Sequence, residues 1–174
     1  MWTRPEYQED HVTVLARSAH TALRMQAGYS ILDIGAGAGH ASAYFQQQGL
    51  SVLAIDIARN ALEPEIQVPL LTACLWDMPV SIGAKWAFCA DVMEHIPPDH
   101  VEQVLAFVAR SAETAVFSIS TVPDTGGALI NEVLHMTVEP SAWWTGKMER
   151  LWRTVHLQEP EGSSGFITIC THSG

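Results

Sequence analysis

An apolar strand-like run, Ile31-Leu32-Asp33-Ile34, passes without a break into Gly35-Ala36-Gly37-Ala38-Gly39, and a helical pattern starts at once. This junction constrains the fold more than any other feature of the chain. Three glycines in five residues let the backbone turn sharply, and they let a ligand approach where a Cβ would otherwise stand. The helix beyond the turn points unpaired N–H groups at whatever lies above it. The junction therefore predicts a loop that holds a nucleotide-like molecule.

The rest of the chain repeats the alternation. Apolar residues at three- and four-residue steps, from Val12 to Ala27, predict a helix over 7–27, stopped by Gly28. Strands are expected at 30–34, 51–55, 70–73, 86–90 and 115–119, with helices over 39–48, 97–112 and 140–151. A short helix or turn is expected at 58–62, and the link 75–85 is too short for a full helix plus loops. Gly162-Ser163-Ser164-Gly165 predicts a hairpin between two last strands, 153–157 and 165–171. The expected fold is α/β: a doubly wound, mostly parallel, Rossmann-like seven-stranded sheet with helices on both faces and a C-terminal antiparallel hairpin. At 174 residues, one domain spanning 1–174 is expected. Right-handed crossovers gather the carboxyl ends of parallel strands on one edge. Asp33, Asp56, Asp77 and Asp91 all fall near such ends.

The glycine spacing argues against a dinucleotide. That fingerprint, G-x-G-x-x-G/A, needs a small third residue for close helix–strand packing. Read from Gly35, the third position falls on the bulky His40. The chain has G-x-G-x-G instead, with Asp33 just before it, and a carboxylate beneath a pyrophosphate repels it. Asp33 suits a cationic or zwitterionic ligand with an amino group. Asp56 can accept hydrogen bonds from both ribose hydroxyls. S-adenosylmethionine combines these features: adenosine, a sulfonium and an amino acid, with no phosphate. No G-x-x-x-x-G-K-[ST] pattern occurs, which excludes a P-loop.

Four stretches carry a family resemblance. Asp33-Ile34-Gly35-Ala36-Gly37-Ala38-Gly39 resembles the first motif of the class I S-adenosylmethionine-dependent methyltransferases. Ala54-Ile55-Asp56-Ile57 is similar to that family's second-strand motif, which ends in the ribose-binding acid. Leu75-Trp76-Asp77-Met78-Pro79 is similar to its L-x-D-x-P segment, whose acid faces the adenine amino group. Cys89-Ala90-Asp91-Val92-Met93-Glu94-His95-Ile96-Pro97 resembles its fourth-strand motif. All four occur in order at family spacing, covering about 30–120. The resemblance implies an S-adenosylmethionine site built from Asp33, Gly35, Gly37, Gly39, Asp56, Ile57, Trp76, Asp77, Ala90 and Asp91. It implies methyl transfer by direct displacement.

Each of these residues also has a plainer role open to it. The glycines serve any tight turn, and Asp33 can brace its loop through backbone N–H groups. Asp56 can cap the turn at Ala58, Asp77 can be a turn residue, and Trp76 can be an apolar wall. His95 and His135 are the candidate general bases, since imidazole exchanges protons near neutral pH. Glu94 and His95 can equally brace the site. The loop 121–138, with Asp124, Gly126-Gly127, Asn131, Glu132 and His135, follows the fifth strand, where the acceptor is expected. Trp143 and Trp144 cannot share one helix face, so one is expected in the core and the other in the pocket wall.

Composition narrows the acceptor. A net charge of −10, with nine scattered Lys and Arg, argues against a nucleic-acid surface. Hydrophobic content of 48% is ample for a core, yet no apolar run reaches the ~18 residues of a membrane span. A small-molecule acceptor and a cytoplasmic enzyme are expected, with completion of the pocket by a second copy left open. Cys74, Cys89 and Cys170 read as reduced core thiols. His11, His20, His100, His156 and His172 lack metal-ligand spacing, so no metal is expected. Two rivals stand beside this reading. One is a catalytically silent S-adenosylmethionine-binding protein. The other is an NAD-dependent oxidoreductase, disfavoured by His40.

Overall fold

The computed structural model describes residues 10–124, 132–159 and 164–172. Its strands are β1 (Ser30–Ile34), β2 (Ser51–Asp56), β3 (Leu70–Thr72), β4 (Ala84–Ala90), β5 (Ala112–Ser120), β6 (Thr154–Gln158) and β7 (Gly165–Thr171). They form one seven-stranded sheet in the order β3-β2-β1-β4-β5-β7-β6. Strands β1 to β5 run parallel, while β7 is antiparallel to both β5 and β6. The mostly parallel sheet with its antiparallel C-terminal hairpin is the one expected. Strand β7 inserts between β5 and β6, which leaves β6 as an edge strand with its last three residues exposed.

The helices are α1 (His11–Ala22), α2 (His40–Gln47), α3 (Val101–Ser111) and α4 (Ser141–Met148). They cover both faces, and β4 shows how. Successive strand side chains point to opposite faces. Trp86, Phe88 and Ala90 join a core with Ala16 and Ala19 of α1 and Ala41 and Phe45 of α2. Ala87 and Cys89 join a second core with Val104, Leu105 and Val108 of α3 and Trp144 and Met148 of α4. A strand apolar on both faces can only be central, and each large side chain buried this way contributes about 1.5–3 kcal/mol.

Helix α1 differs from the expected span of 7–27. Residues 7–9 lie outside the described residues. Asp10 caps the helix, its Oδ1 accepting from the Thr13 amide at 2.9 Å. The helix stops at Ala22 because Arg24 adopts φ 47°, with Arg24 N–H donating to the Thr21 carbonyl and Met25 N–H to that of His20. This is a Schellman ending. Periodicity misses it because Leu23 and Ala27 stay in helical register. The 58–62 segment is a turn, with Ala61 N–H donating to the Ala58 carbonyl. The short link after β3 holds one 3-10 turn, Leu75–Asp77. Among the described residues no helix is long and apolar enough to cross a membrane.

Candidate functional site

Strand order reverses between β1 and β4, since the chain builds outward to β3 on one side and to β5 on the other. Open α/β sheets bind ligands outside the carboxyl ends of their strands at such a switch point. Gly35 follows β1 there and Asp91 follows β4. A cleft of about 330 Å³ opens at this point, lined by Gly35, Asp56, Ile57, Ala73, Leu75, Trp76, Asp91, Val92, His95 and Ile96. Its lining holds two carboxylates and no lysine or arginine.

The glycine loop needs its glycines. Gly35 has φ 70° and donates its N–H to the Ile55 carbonyl at 2.8 Å. A Cβ on it would stand 2.3 Å from Val92 Cγ2. Gly37, at φ 50°, donates its N–H to Asp56 Oδ2 at 2.9 Å, and Ala58 N–H donates to Asp56 Oδ1 at 2.9 Å. Asp56 thus ties the loop after β1 to the turn after β2. Each of its oxygens keeps a second lone pair for another donor.

Asp33 sits deeper. It is 3% exposed, and its Oδ2 accepts from Ser42 Oγ at 2.6 Å, which braces the first turn of α2. Burial raises its carboxyl to about 6 against the pull of the Ser42 hydrogen bonds, and the negative charge of Asp56 adds to the rise. His40, in the position where a dinucleotide loop needs a small residue, lies between two acids. Its Nδ1 is 3.0 Å from Asp10 Oδ2 and its Nε2 3.2 Å from Glu63 Oε2.

Asp91 adopts φ 55°, a strained conformation for a residue with a Cβ. Its N–H donates to the Ser118 carbonyl at 2.9 Å, and its Oδ1 accepts from Ser118 Oγ at 3.1 Å. His11 Nε2 lies 3.8 Å from Oδ2. Asp91 also lines a second cleft, about 150 Å³, together with His11, Ser118, Ser120 and Phe166. It therefore stands between the two spaces. Trp76 stacks on His100, rings 4.9 Å apart and 8° from parallel. Ile57 is exposed on the cleft wall, whereas Asp77 is exposed at the end of its 3-10 turn, off the lining. Asp33, Gly37, Gly39 and Ala90 also lie off the lining, Asp33, Gly39 and Ala90 buried and Gly37 exposed.

The two candidate bases converge. Segment 134–137 straps onto residues 94–96: Thr137 N–H donates to the Glu94 carbonyl at 3.0 Å and Thr137 Oγ1 to that of Ile96 at 2.7 Å. His95 Nδ1 is 2.9 Å from the Leu134 carbonyl and His135 Nδ1 2.7 Å from the Val122 carbonyl. The imidazoles meet edge to face at 5.0 Å. Glu94 is buried, its Oε1 accepts from Ser120 N–H at 3.2 Å, and burial raises its carboxyl above the ordinary carboxylate range. Trp144 is fully buried, while Trp143 packs against that core under Lys147, whose Nζ is 4.4 Å from the ring, and lines neither cleft. Gly126, Gly127 and Asn131 lie outside the described residues. Sequence reasoning missed Ser42, Ser118 and His11, since nothing local marks a hydroxyl or imidazole that meets its partner only after folding.

No family model matches the chain, and no curated protein matches it in sequence. Solved structures share its fold, and many of them are S-adenosylmethionine-dependent methyltransferases. One such enzyme from Archaeoglobus fulgidus is 12% identical with a TM-score of 0.70, covering 92% of this chain and 94% of its own. Magnesium protoporphyrin IX methyltransferase from Synechocystis PCC 6803, crystallised with S-adenosylhomocysteine, is 16% identical with a TM-score of 0.68, covering 99% and 90%. The 1,6-didemethyltoxoflavin-N1-methyltransferase of Burkholderia thailandensis, crystallised with 1,6-didemethyltoxoflavin and S-adenosylhomocysteine, is 16% identical with a TM-score of 0.68, covering 95% and 80%. The fold is that of the class I methyltransferases.

Proposed function

We propose that the chain is an S-adenosylmethionine-dependent methyltransferase, folded as one domain and acting in the cytoplasm on a small-molecule acceptor. The observation that carries this reading is the switch-point cleft with two carboxylates and no lysine or arginine in its lining. Such a lining suits a ligand with a sulfonium and an ammonium group, and it repels a pyrophosphate. Asp56 accepts from the ribose hydroxyls through the lone pairs that Gly37 and Ala58 leave free, and Trp76 and Ile57 wall the adenine. Asp77 serves the adenine amino group from the rim. Asp91 faces the methionine end, and Asp33 acts by holding α2 and the glycine loop. Bound there, S-adenosylmethionine supplies an electrophilic methyl group and leaves as S-adenosylhomocysteine.

Positioning two reactants at contact distance is the main task of the protein in such a displacement. The second cleft, across Asp91, is the acceptor side in this reading. His95, on the switch-point cleft, and His135 beside it are the bases of this reading, and His11 is the imidazole that lines the second cleft. The bound substrate in the Burkholderia structure supports a small-molecule acceptor.

Calorimetric titration with S-adenosylmethionine, S-adenosylhomocysteine and NAD tests this. Both sulfur ligands are expected to bind and NAD is not. In Asp56→Ala the affinity should fall about tenfold or more, the loss of a charge-assisted hydrogen bond. Failure of the folded wild type to bind either sulfur ligand would overturn the reading.

A further inference from the structure

We infer that Glu94, His95 and His135 form a binding site for one divalent transition-metal ion. A ligand atom from each of the three lies within 4.8 Å of the others. Three details of their surroundings point the same way. First, both imidazoles turn Nδ1 to a backbone carbonyl, His95 to Leu134 at 2.9 Å and His135 to Val122 at 2.7 Å. A carbonyl only accepts, so Nδ1 carries the proton in each ring and Nε2 carries the lone pair. Metal-ligating histidines are oriented in this way, with the far N–H given to a carbonyl or carboxylate. Second, Glu94 is 1% exposed, and while its Oε1 accepts from Ser120 N–H, its Oε2 is buried with no hydrogen-bond partner among the described residues. A buried carboxyl oxygen without a donor is stabilised either by a proton or by a counter-charge, and a bound cation supplies the second. Third, the strap from Leu134 to Thr137 is hydrogen-bonded to Glu94 and Ile96, which holds His135 beside the other two.

Two imidazoles and one carboxylate suit zinc and its first-row neighbours, whereas magnesium and calcium prefer all-oxygen sets. Three protein ligands leave coordination open for solvent or a small molecule. His95 also lines the switch-point cleft. The site stands on its own geometry and does not depend on the methyl-transfer reading; with an ion bound, the Nε2 lone pairs of His95 and His135 are taken up by it and neither imidazole serves as a base. It departs from the expectation of no metal, which rested on sequence spacing alone.

The test is metal binding by the full chain after stripping with a chelator. Zn²⁺, Co²⁺ and Mg²⁺ are each added and followed by equilibrium dialysis with elemental analysis, and Co²⁺ by its visible spectrum. One Zn²⁺ or Co²⁺ per chain is expected, with a Co²⁺ spectrum of nitrogen ligation. His135→Ala and His95→Ala should each weaken binding by about tenfold or more, since even outer contacts to a metal site are worth about 10–100-fold. His20→Ala, at a histidine paired with Tyr44 away from the cluster, should bind like the wild type. The inference is overturned if the folded wild type binds neither ion stoichiometrically. It is equally overturned if His20→Ala weakens binding as much as the cluster variants, or if Mg²⁺ is held more tightly than Zn²⁺.

Discussion

Asp33 illustrates how one buried side chain couples the site to stability. It is buried beneath α2, and among the described residues its side-chain partner is a neutral hydroxyl, that of Ser42. A carboxyl whose folded-state pKa lies above its unfolded value stabilises the fold fully below the unfolded value, and loses that contribution as pH rises through the folded one. With 3.8 as the ordinary value and about 6 in the fold, Asp33 withdraws stability between about pH 4 and pH 7. The full amount is on the order of 3 kcal/mol, two pKa steps of about 1.4 each. Asp33→Asn keeps an acceptor for Ser42 and removes the titration. Its stability advantage over the wild type should therefore grow from pH 4 to pH 7, read as urea midpoints at each pH. A difference constant across that range would contradict the burial argument.

At the level of elements, the ends of α1 and β1 show two ways in which the chain leaves a regular segment through positive φ. Helix α1 leaves through Arg24 in the left-handed region rather than through a glycine. For a residue with a Cβ that conformation costs about 1–2 kcal/mol, offset in a glycine replacement by the backbone entropy glycine loses on folding, about 0.5–1 kcal/mol. Arg24→Gly is thus expected to stabilise the protein by about 0.5–1 kcal/mol, measured by urea unfolding. A loss of stability would mean that the Arg24 side chain makes a contribution larger than its strain. The strand-to-helix turn after β1 works by the opposite logic. There glycine is mandatory at 35, where Val92 occupies the space of a Cβ.

The whole molecule is a sheet with two unequal edges. Strands β1, β4 and β5 are each paired on both sides and buried on both faces, whereas β3 has three residues and β6 is largely exposed. Local opening follows burial and pairing. Native-state hydrogen exchange should find the slowest amides in β1, β4 and β5 and markedly faster ones in β3 and β6. Slow exchange in β6 would show that this edge is covered in solution. The arrangement suits a switch-point site, because the loops carrying Gly35 and Asp91 grow from β1 and β4, two of the three strands held on both sides.

The alternation of strands and helices, the glycine turn at 35–39 and the acids at strand ends are all legible in the chain before it folds. Each of these is written in local spacing: period two or 3.6 for burial, glycine where φ must be positive, a carboxylate where a strand stops. Strand β1 was legible to the residue, since nothing but burial on both faces explains Ile31 to Ile34. Tertiary structure alone decided the rest. It placed β7 between β5 and β6, sealed Asp33 beneath Ser42, and stacked Trp76 on His100. It also brought His135 against Glu94 and His95, some forty positions earlier in the chain. Such meetings depend on which surfaces pack together, and packing is a property of the folded whole that no local pattern of residues encodes.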